Sequence, residues 1–279
     1  MGRDFSLSHL SVLPIGPPDL IDLAADAGFH AIGIRLCSPM AGGPEWPLRV
    51  GSVQLRETLA RMKQRGVSVF DIEVVRLAED TDVQTYLPAF ESAAELGAQR
   101  ACVNIDDPDR SRSIDRFGTL CDLARPFGLG LDIEFMVWRP VARLEDALAI
   151  VSAAGRSNGQ ILVDALHLDR SGGTPAAVAA LDAALIGSVQ LCDAPKNRPE
   201  PAGIIEEARG GRLAPGEGGL PLGLLMSTLP KSVPLAVEVP LARSMPNATP
   251  LERARHVRLA TERFLNAREL HPGHTADQR

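Results

Sequence analysis

Three carboxylates and one amide stand at the ends of four apolar runs between residues 131 and 240. These are Glu134 in LDIEF, Asp164 in LVDALH, Gln190 in SVQLCD and Glu238 in LAVEVP. A carboxylate inside such a run is costly to bury without a partner. If the ends of the runs meet, their oxygens form a hard, negatively charged shell that suits Mn²⁺ or Mg²⁺ and tolerates Co²⁺ or Zn²⁺. We therefore expect these four residues to hold one divalent cation.

Two residues beside these runs are open to more than one interpretation. A single acid at the end of a strand often caps the next helix, and for Asp193 this interpretation and a role in the site are equally open. His167 lies three residues after Asp164. It could hydrogen-bond a substrate or simply satisfy its own loop. Because histidine is the usual proton shuttle near neutral pH, we expect it in the site.

The longest connection in the chain follows SVQLC, and its cations include Lys196, Arg198 and Arg212. Long loops in compact domains are usually functional or disordered. A cation close to a metal site can bind a phosphate or a carboxylate. We expect at least one of the three to bind the far end of an anionic substrate. For each of them, the alternative is a place on a solvated surface loop.

Other polar and aromatic residues lie close to the ends of earlier runs. Arg35 and Arg76 are further candidates for binding substrate. Asp71 and Glu73 lie on one face of the third run, and they could line a pocket or pair with either arginine. Trp138 follows LDIEF in a loop, where it could form a wall of the pocket or pack against a neighbouring loop.

The fold has to bring these residues together, and a sequence pattern that recurs along the chain indicates which fold it is. An amphipathic segment ends in glycine and a short apolar run follows, as in ARMKQRG-VSVFDIEVV and ARPFGLG-LDIEF. Glycine suits the left-handed position that ends a helix, and a continuously apolar run is typical of a parallel strand buried on both faces. The spacing is that of a β/α repeat. We predict eight strands, at 5–13, 31–36, 67–75, 101–105, 130–135, 160–166, 187–192 and 235–239.

Eight such units predict an α/β fold of one domain, a (β/α)8 TIM barrel over residues 1–270. The polar residues 271–279 are expected to form a flexible tail. In this fold, catalytic residues lie at the C-terminal ends of the strands and in the loops that follow. The polar residues at the ends of the four apolar runs would therefore converge at the mouth of the barrel.

The composition disfavours several classes of protein. A net charge of -6 argues against a general nucleic-acid or anionic-membrane surface. The four cysteines form no CxxC pair, so neither a zinc knuckle nor a dithiol redox motif is indicated. No signal peptide is recognisable, and no run approaches the roughly 18 apolar residues of a membrane span. We expect a cytoplasmic protein that acts on a small molecule.

These residues and their order carry a resemblance to a known family. The pieces IEF, VDALH, QLCDA, RLAPGEGGLPL and AVEVP resemble the xylose isomerase-like TIM-barrel superfamily, in its sugar-phosphate isomerase/epimerase branch. The resemblance covers nearly the whole chain. In ketose epimerases of this family, one Glu, one Asp, one His and one Glu bind the metal, and the two Glu exchange the proton beside the carbonyl.

The resemblance implies roles for individual residues. Glu134 and Glu238 would be the catalytic acid/base pair, Asp164 a metal ligand only, and His167 a substrate contact. Gln190 departs from the pattern, because the epimerases usually carry His on strand seven. An amide oxygen shifts the metal preference toward Mg²⁺ or Mn²⁺. Similar shells that contain Gln occur among 3-dehydroshikimate dehydratases of the same superfamily, which are lyases.

The function expected from these features is divalent-metal-dependent isomerisation or epimerisation of a small sugar, sugar phosphate or related hydroxy-ketone, through an enediolate. The alternative is a dehydratase of the 3-dehydroshikimate type, because loss of a β-hydroxyl from the same intermediate gives dehydration. An AP-endonuclease-type enzyme shares the fold but needs a three-zinc site rich in His. A non-catalytic barrel is disfavoured because idle carboxylates in apolar strands cost stability. Homodimers and homotetramers are common among proteins that resemble this one.

Overall fold

The strands of this chain close into a ring. A computed structural model, which describes residues 3–40 and 42–270, shows eight parallel strands in one closed barrel in which β8 pairs with β1. The predicted (β/α)8 barrel is therefore confirmed, whereas the predicted tail at 271–279 lies outside the described residues. The strands are β1 (Phe5–Leu7), β2 (Ala31–Arg35), β3 (Ser68–Leu77), β4 (Arg100–Ile105), β5 (Gly130–Glu134), β6 (Gly159–Asp164), β7 (Ile186–Leu191) and β8 (Leu235–Val237).

Helices connect the strands on the outside of the barrel. Three of them end at Gly28, Gly66 and Gly155, whose φ angles of 89°, 66° and 61° are left-handed. Glycine adopts this conformation without a Cβ clash, so the recurring glycines of the sequence end helices as predicted. The α-helices are α1 (Pro17–Ala27), α2 (Val53–Arg65), α3 (Leu87–Glu95), α4 (Arg110–Ala124), α5 (Leu144–Ala154), α6 (Ala165–Arg170), α7 (Pro175–Ala179), α8 (Ile204–Glu206), α9 (Leu222–Thr228) and α10 (Pro250–Leu270).

Three strands end two or more residues earlier than the sequence predicted, and one of them is β8, which ends at Val237 instead of residue 239. The first ends at Leu7 instead of continuing to residue 13, and a 3₁₀ helix (His9–Val12) follows it. The sixth ends at Asp164, because the carboxylate of Asp164 accepts the backbone N–H of His167 at 2.9 Å and caps α6. Asp164 therefore has two roles: it caps the helix that follows its strand, and it lies at the strand end that faces the barrel mouth.

The inward faces of the strands carry polar groups, whereas the outward faces are apolar and packed under the helices. Near the N-terminal ends of the strands, Asp132 accepts hydrogen bonds from Arg100 Nε and Ser188 Oγ, both at 2.6 Å. A Cβ at Gly187 would collide with the Asp132 carboxylate, so glycine is needed for this close approach. The bottom of the barrel is thus closed by an ion pair instead of by apolar side chains alone.

Asp71 on β3 lies in the same interior and is poorly compensated. It is 5% exposed, and its Oδ1 has no hydrogen-bond partner among the described residues. Burial, reinforced by the charges of Glu73 and Asp132, raises the pKa of Asp71 well above its usual range. At a pH between the pKa values of the unfolded and folded states, Asp71 is therefore protonated in the folded protein and ionised in the unfolded chain. The contribution of Asp71 to stability is present at low pH and is lost as the pH rises through the raised pKa.

We predict that Asp71→Asn becomes more stable relative to the wild type as the pH rises from about 5 to about 8, since asparagine keeps the shape without ionising. The expected gain at the higher pH is roughly 1–3 kcal/mol, the usual cost of a buried unsatisfied polar group. Urea unfolding in EDTA at both pH values measures it. The control is Asp122→Asn, because Arg156 lowers the pKa of Asp122 and no such gain is expected. An Asp71→Asn difference that does not vary with pH would contradict this account.

Candidate active site

The four predicted metal ligands lie together at the C-terminal end of the barrel. Glu134 and Asp164 are the last residues of β5 and β6, and Glu238 directly follows β8. Gln190 on β7 is paired in register with Asp164. The exposed fractions of these residues are 7% or less. The fold therefore buries four oxygen-bearing side chains at the mouth of the barrel.

A histidine joins two of these carboxylates. Glu134, Asp164 and His167 each offer one ligand atom, and these atoms lie within 4.8 Å of one another. The imidazole Nε2 of His167 is 3.7 Å from Glu134 Oε1, and its Nδ1 has no hydrogen-bond partner in the described part of the chain. This buried cluster could bind a metal ion. The resemblance implied His167 as a substrate contact, and its position is also compatible with metal ligation.

The other half of the site contains an amide oxygen without a partner. Glu238 Oε1 accepts hydrogen bonds from Ser8 Oγ at 2.8 Å and from Gln190 Nε2 at 3.2 Å. The carbonyl oxygen of Gln190 is buried and accepts no hydrogen bond from any described residue. Buried polar atoms in folded proteins are nearly always hydrogen-bonded. An amide oxygen that has no partner and lies beside carboxylates is therefore available to coordinate a hard cation. The donor set therefore fits a divalent ion.

Arg212 lies at the centre of this site and not on a solvated loop. Its guanidinium is 2.6 Å from Asp164 Oδ2 and 3.0 Å from Glu238 Oε2, and its side chain is 1% exposed. It also contacts Cys192 Sγ at 3.2 Å, and its Nε donates to Ala208 O at 2.9 Å. Arg212 thus engages two of the predicted metal ligands, and it has to release them before a cation can use the same oxygens.

The protonation of the site follows from burial and from Arg212. Burial raises the pKa of Glu238 to about 8, although the Arg212 guanidinium opposes the rise. Burial would also raise the pKa of Asp164, but Arg212 holds it below its usual range. Burial lowers the pKa of His167. Near neutral pH, the site therefore contains an ionised aspartate, a neutral imidazole and a glutamate that holds its proton unusually tightly.

Arg35 belongs to a second buried network on the other side of the mouth. Its Nη2 is 3.0 Å from Glu73 Oε2. Glu73 Oε1 accepts the backbone N–H of His9 at 2.8 Å and lies 2.7 Å from Ser8 Oγ, whose single hydrogen can go to either Glu73 or Glu238. Ser8 lies within hydrogen-bond distance of both Glu73 and Glu238 and so links this network to the candidate site. Of the two pairings considered for Glu73, the structure shows the one with Arg35.

Trp138 and Asn104 flank the carboxylate cluster. The Trp138 ring packs edge-on against His167 with 5.1 Å between ring centroids. Asn104 on β4 donates from Nδ2 to Glu134 Oε2 at 2.9 Å. Sequence reasoning missed Asn104, yet it stands near the end of the apolar run RACVNI, the same signal that identified Glu134. Ser8 was also missed, and its serine carried no comparable signal.

The structure does not bring the other two predicted loop cations into contact with the carboxylates. Lys196 and Arg198 are exposed, and Arg198 donates to Asp169 O at 2.7 Å. Asp193, left open above, accepts the backbone N–H groups of Ala194 at 2.9 Å and Leu220 at 3.0 Å. These bonds favour the structural interpretation of Asp193, because they fix the two ends of the long loop to each other.

The fold agrees with a comparison of the sequence with protein families. The profile of the xylose isomerase-like TIM barrel matches residues 21–259. The chain belongs to this family. A search of curated proteins finds no match.

Solved structures share the fold at low sequence identity. An IolI protein with a bound zinc atom superposes with a TM-score of 0.78 at 17% identity and covers 95% of this chain and 98% of its own. The probable 3-DHS dehydratase AsbF of Bacillus anthracis has a TM-score of 0.70 at 17% identity, covering 93% and 99%. A D-psicose 3-epimerase, solved in the presence of D-fructose, has a TM-score of 0.68 at 14% identity, covering 94% and 99%. At these identities the likeness shows the fold alone.

Helices long and apolar enough to cross a membrane are absent from the described residues.

We predict that Arg212→Gln binds Mn²⁺ more tightly than the wild type, by roughly tenfold or more, because the ion no longer competes with two ion pairs. The metal-free variant should be less stable than the wild type, since two buried carboxylates lose their counter-ion. Added Mn²⁺ should raise its melting temperature by more than it raises that of the wild type. Calorimetric titration and thermal unfolding, each with and without metal, measure these effects.

Arg198→Gln is the matched control, because it removes one arginine from the same loop where the side chain is exposed. Its metal affinity and melting temperatures should equal those of the wild type. Equal or weaker Mn²⁺ binding by Arg212→Gln would show that Arg212 does not compete with the ion.

Proposed function

We propose that this protein is a divalent-metal-dependent isomerase or epimerase of a small sugar, sugar phosphate or related hydroxy-ketone. The observation that carries the proposal is the pair Glu134 and Glu238, two buried carboxylates at one barrel mouth. Their charges interact, since Glu134 is among the groups that raise the pKa of Glu238, after burial. Two carboxyl groups at one site can take and return the proton beside a substrate carbonyl.

Glu134, Asp164, Gln190 and Glu238 would hold the metal ion, with His167 as a further nearby donor. The support is the partnerless oxygen of Gln190 and the short separations among the ligand atoms of Glu134, Asp164 and His167. When bound, a divalent ion supplies Lewis-acid stabilisation of negative charge on a substrate oxygen. The oxygen-rich set favours Mn²⁺ or Mg²⁺, with Co²⁺ and Zn²⁺ tolerated.

The two glutamates are held in place for proton transfer by different neighbours. Asn104 occupies one oxygen of Glu134 and leaves the other facing His167. Ser8 donates to Glu238, so its orientation is also fixed before substrate arrives. One glutamate would take the proton beside the substrate carbonyl, and the other would return it to the opposite face or to the neighbouring carbon. Preorganised acid/base groups of this kind contribute roughly 10²–10⁴-fold in rate.

His167, Trp138 and Arg212 would position the substrate. The neutral imidazole of His167 can both donate and accept a hydrogen bond, which suits a substrate hydroxyl. Trp138 fixes the His167 ring edge-on and walls the site beside it. Once released from Asp164 and Glu238, the Arg212 guanidinium can donate to a substrate oxygen without leaving the mouth. Lys196, Arg198 and Arg35 stay proposed substrate contacts, and the first two can reach a substrate only from the rim.

A dehydratase of the 3-dehydroshikimate type is the second candidate. The residue that favours it is Gln190, which replaces the histidine usual in the epimerases. The two reactions differ in their products, because an isomerase conserves mass whereas a dehydratase loses one water. Incubation of the metal-loaded protein with ketoses, hydroxy-acids and 3-dehydroshikimate, followed by mass measurement and deuterium uptake from solvent, separates the two.

We predict that Glu134→Gln and Glu238→Gln each abolish exchange of the substrate hydrogen with solvent deuterium. The amide cannot act as a base, so the loss should exceed roughly 10²-fold while the barrel stays folded. Metal content has to be measured in each variant, because a lost metal would mimic a lost base. Glu57→Gln, on the exposed face of α2, is the control for replacing a glutamate by glutamine.

Near-normal exchange in either metal-loaded variant would remove that glutamate from the proton-transfer pair. Loss of exchange in the Glu57→Gln control would point to a general effect on folding instead.

A further inference from the structure

A cluster of two arginines and one aspartate lies on the rim of the barrel mouth, and we call it the rim cluster. Asp106, just after β4, accepts hydrogen bonds from Arg76 through Oδ2 and from Arg139 through Oδ1. The two arginines come from different elements, since Arg76 lies on β3 and Arg139 follows Trp138 in the β5–α5 loop.

The rim cluster adjoins the candidate site on two sides. Arg76 is paired in register with Asn104, and Asn104 donates to Glu134 at 2.9 Å. Arg139 is next in sequence to Trp138, whose ring packs against His167. Both arginines therefore lie at the same end of the barrel as the proposed chemistry.

The charges of the rim cluster do not balance. Burial would raise the pKa of Asp106, but hydrogen bonds from Arg139 and Arg76 hold it below its usual range, so Asp106 is ionised. Two guanidinium groups share this one carboxylate, which leaves an excess of one positive charge. Arg35, by contrast, forms a one-to-one ion pair with Glu73, and the net charge of that pair is zero.

The excess charge sits on a side chain that is already largely withdrawn from solvent. The Arg139 side chain is 12% exposed, and its buried Nε has no hydrogen-bond partner among the described residues. Its backbone N–H donates to Met136 O at 2.8 Å, so the loop turns tightly and holds the side chain in place. Arg76 is 41% exposed and open to a ligand from the mouth. Two guanidinium groups that share one carboxylate keep donors and positive charge with which they can bind a second anion.

We propose that Arg139 and Arg76 form the subsite for an oxyanion of the substrate, a carboxylate or a phosphate, with the reacting carbonyl end directed to Glu134 and Glu238. Forked guanidinium donors match the planar or tetrahedral oxygens of these groups. The statement that the bound oxyanion belongs to the substrate rests on the proposed function. The subsite narrows that substrate to an acid or a phosphorylated sugar. The proposal assigns the anchoring role to the rim and not to Lys196 and Arg198, which are exposed.

Binding to the Mn²⁺-loaded protein tests the subsite separately from catalysis. The probes are inorganic phosphate, D-fructose 6-phosphate, 3-dehydroshikimate and, as the uncharged partner, D-fructose, all titrated by calorimetry. Arg139→Gln should weaken at least one of the anionic probes by roughly tenfold or more, and Arg76→Gln should weaken the same probe. D-fructose should be unaffected by either change. Loss for 3-dehydroshikimate alone identifies a carboxylate subsite, and loss for the phosphates alone identifies a phosphate subsite.

Two further variants separate charge from structure. Arg125→Gln removes one positive charge at the end of α4, away from the mouth, and should leave all probes unchanged. Asp106→Asn keeps the shape and frees both guanidinium groups, so it should bind the anion at least as tightly as the wild type. Weakening by Asp106→Asn equal to that by Arg139→Gln would show a purely structural role and would overturn the proposal.

The outcomes distinguish this proposal from the proposed function. If the rim variants lose anion binding but no substrate exchanges hydrogen with solvent, the subsite stands and the isomerase proposal fails. If exchange is found and Arg139→Gln binds every anion as the wild type does, the subsite is wrong and the isomerase proposal stands. Failure of the wild type to bind any of the three anions also overturns the subsite.

Discussion

Three buried acids, Glu134, Asp164 and Glu238, lie close together at the mouth of this barrel, and the guanidinium of Arg212 is the cation that contacts two of them. It lies 2.6 Å from Asp164 and 3.0 Å from Glu238, and it is almost fully buried. Removing one partner of such a buried pair costs roughly 3–5 kcal/mol, because the remaining charge has no compensation. The metal-free site is therefore stabilised by an internal cation that uses two of the oxygens a metal ion would use. Metal binding and the position of Arg212 are coupled for this reason.

The remaining polar groups of the mouth are arranged around this constraint. Ser8 lies between Glu73 and Glu238, and Asn104 occupies one oxygen of Glu134. Within this group of side chains, two buried atoms have no hydrogen-bond partner among the described residues: the carbonyl oxygen of Gln190 and Nδ1 of His167. Both lie beside the carboxylates, where an ion or a substrate would bind.

The fold and the four oxygen side chains could be predicted because both depend on local patterns. A glycine after an amphipathic segment and an acid in an apolar run are visible within about ten residues. The position of Arg212 could not be predicted in this way, since its partner Asp164 is 48 residues away and β7 and most of the long loop after it lie between them. The rim cluster was hidden for the same reason, because Asp106 and Arg139 meet only when β4 and β5 are side by side. Strand six was predicted too long because Asp164 belongs to the apolar run and also caps the helix that follows.

The most direct test of this account is the anomalous diffraction of manganese in crystals grown with Mn²⁺. The account predicts one peak bounded by Glu134, Asp164, Gln190 and Glu238, with the Arg212 guanidinium moved off Asp164 and Glu238. Such a structure would show that the ion and the arginine exchange places. A manganese peak elsewhere, or crystals soaked in excess Mn²⁺ in which Arg212 still contacts both carboxylates and no peak lies between them, would contradict it.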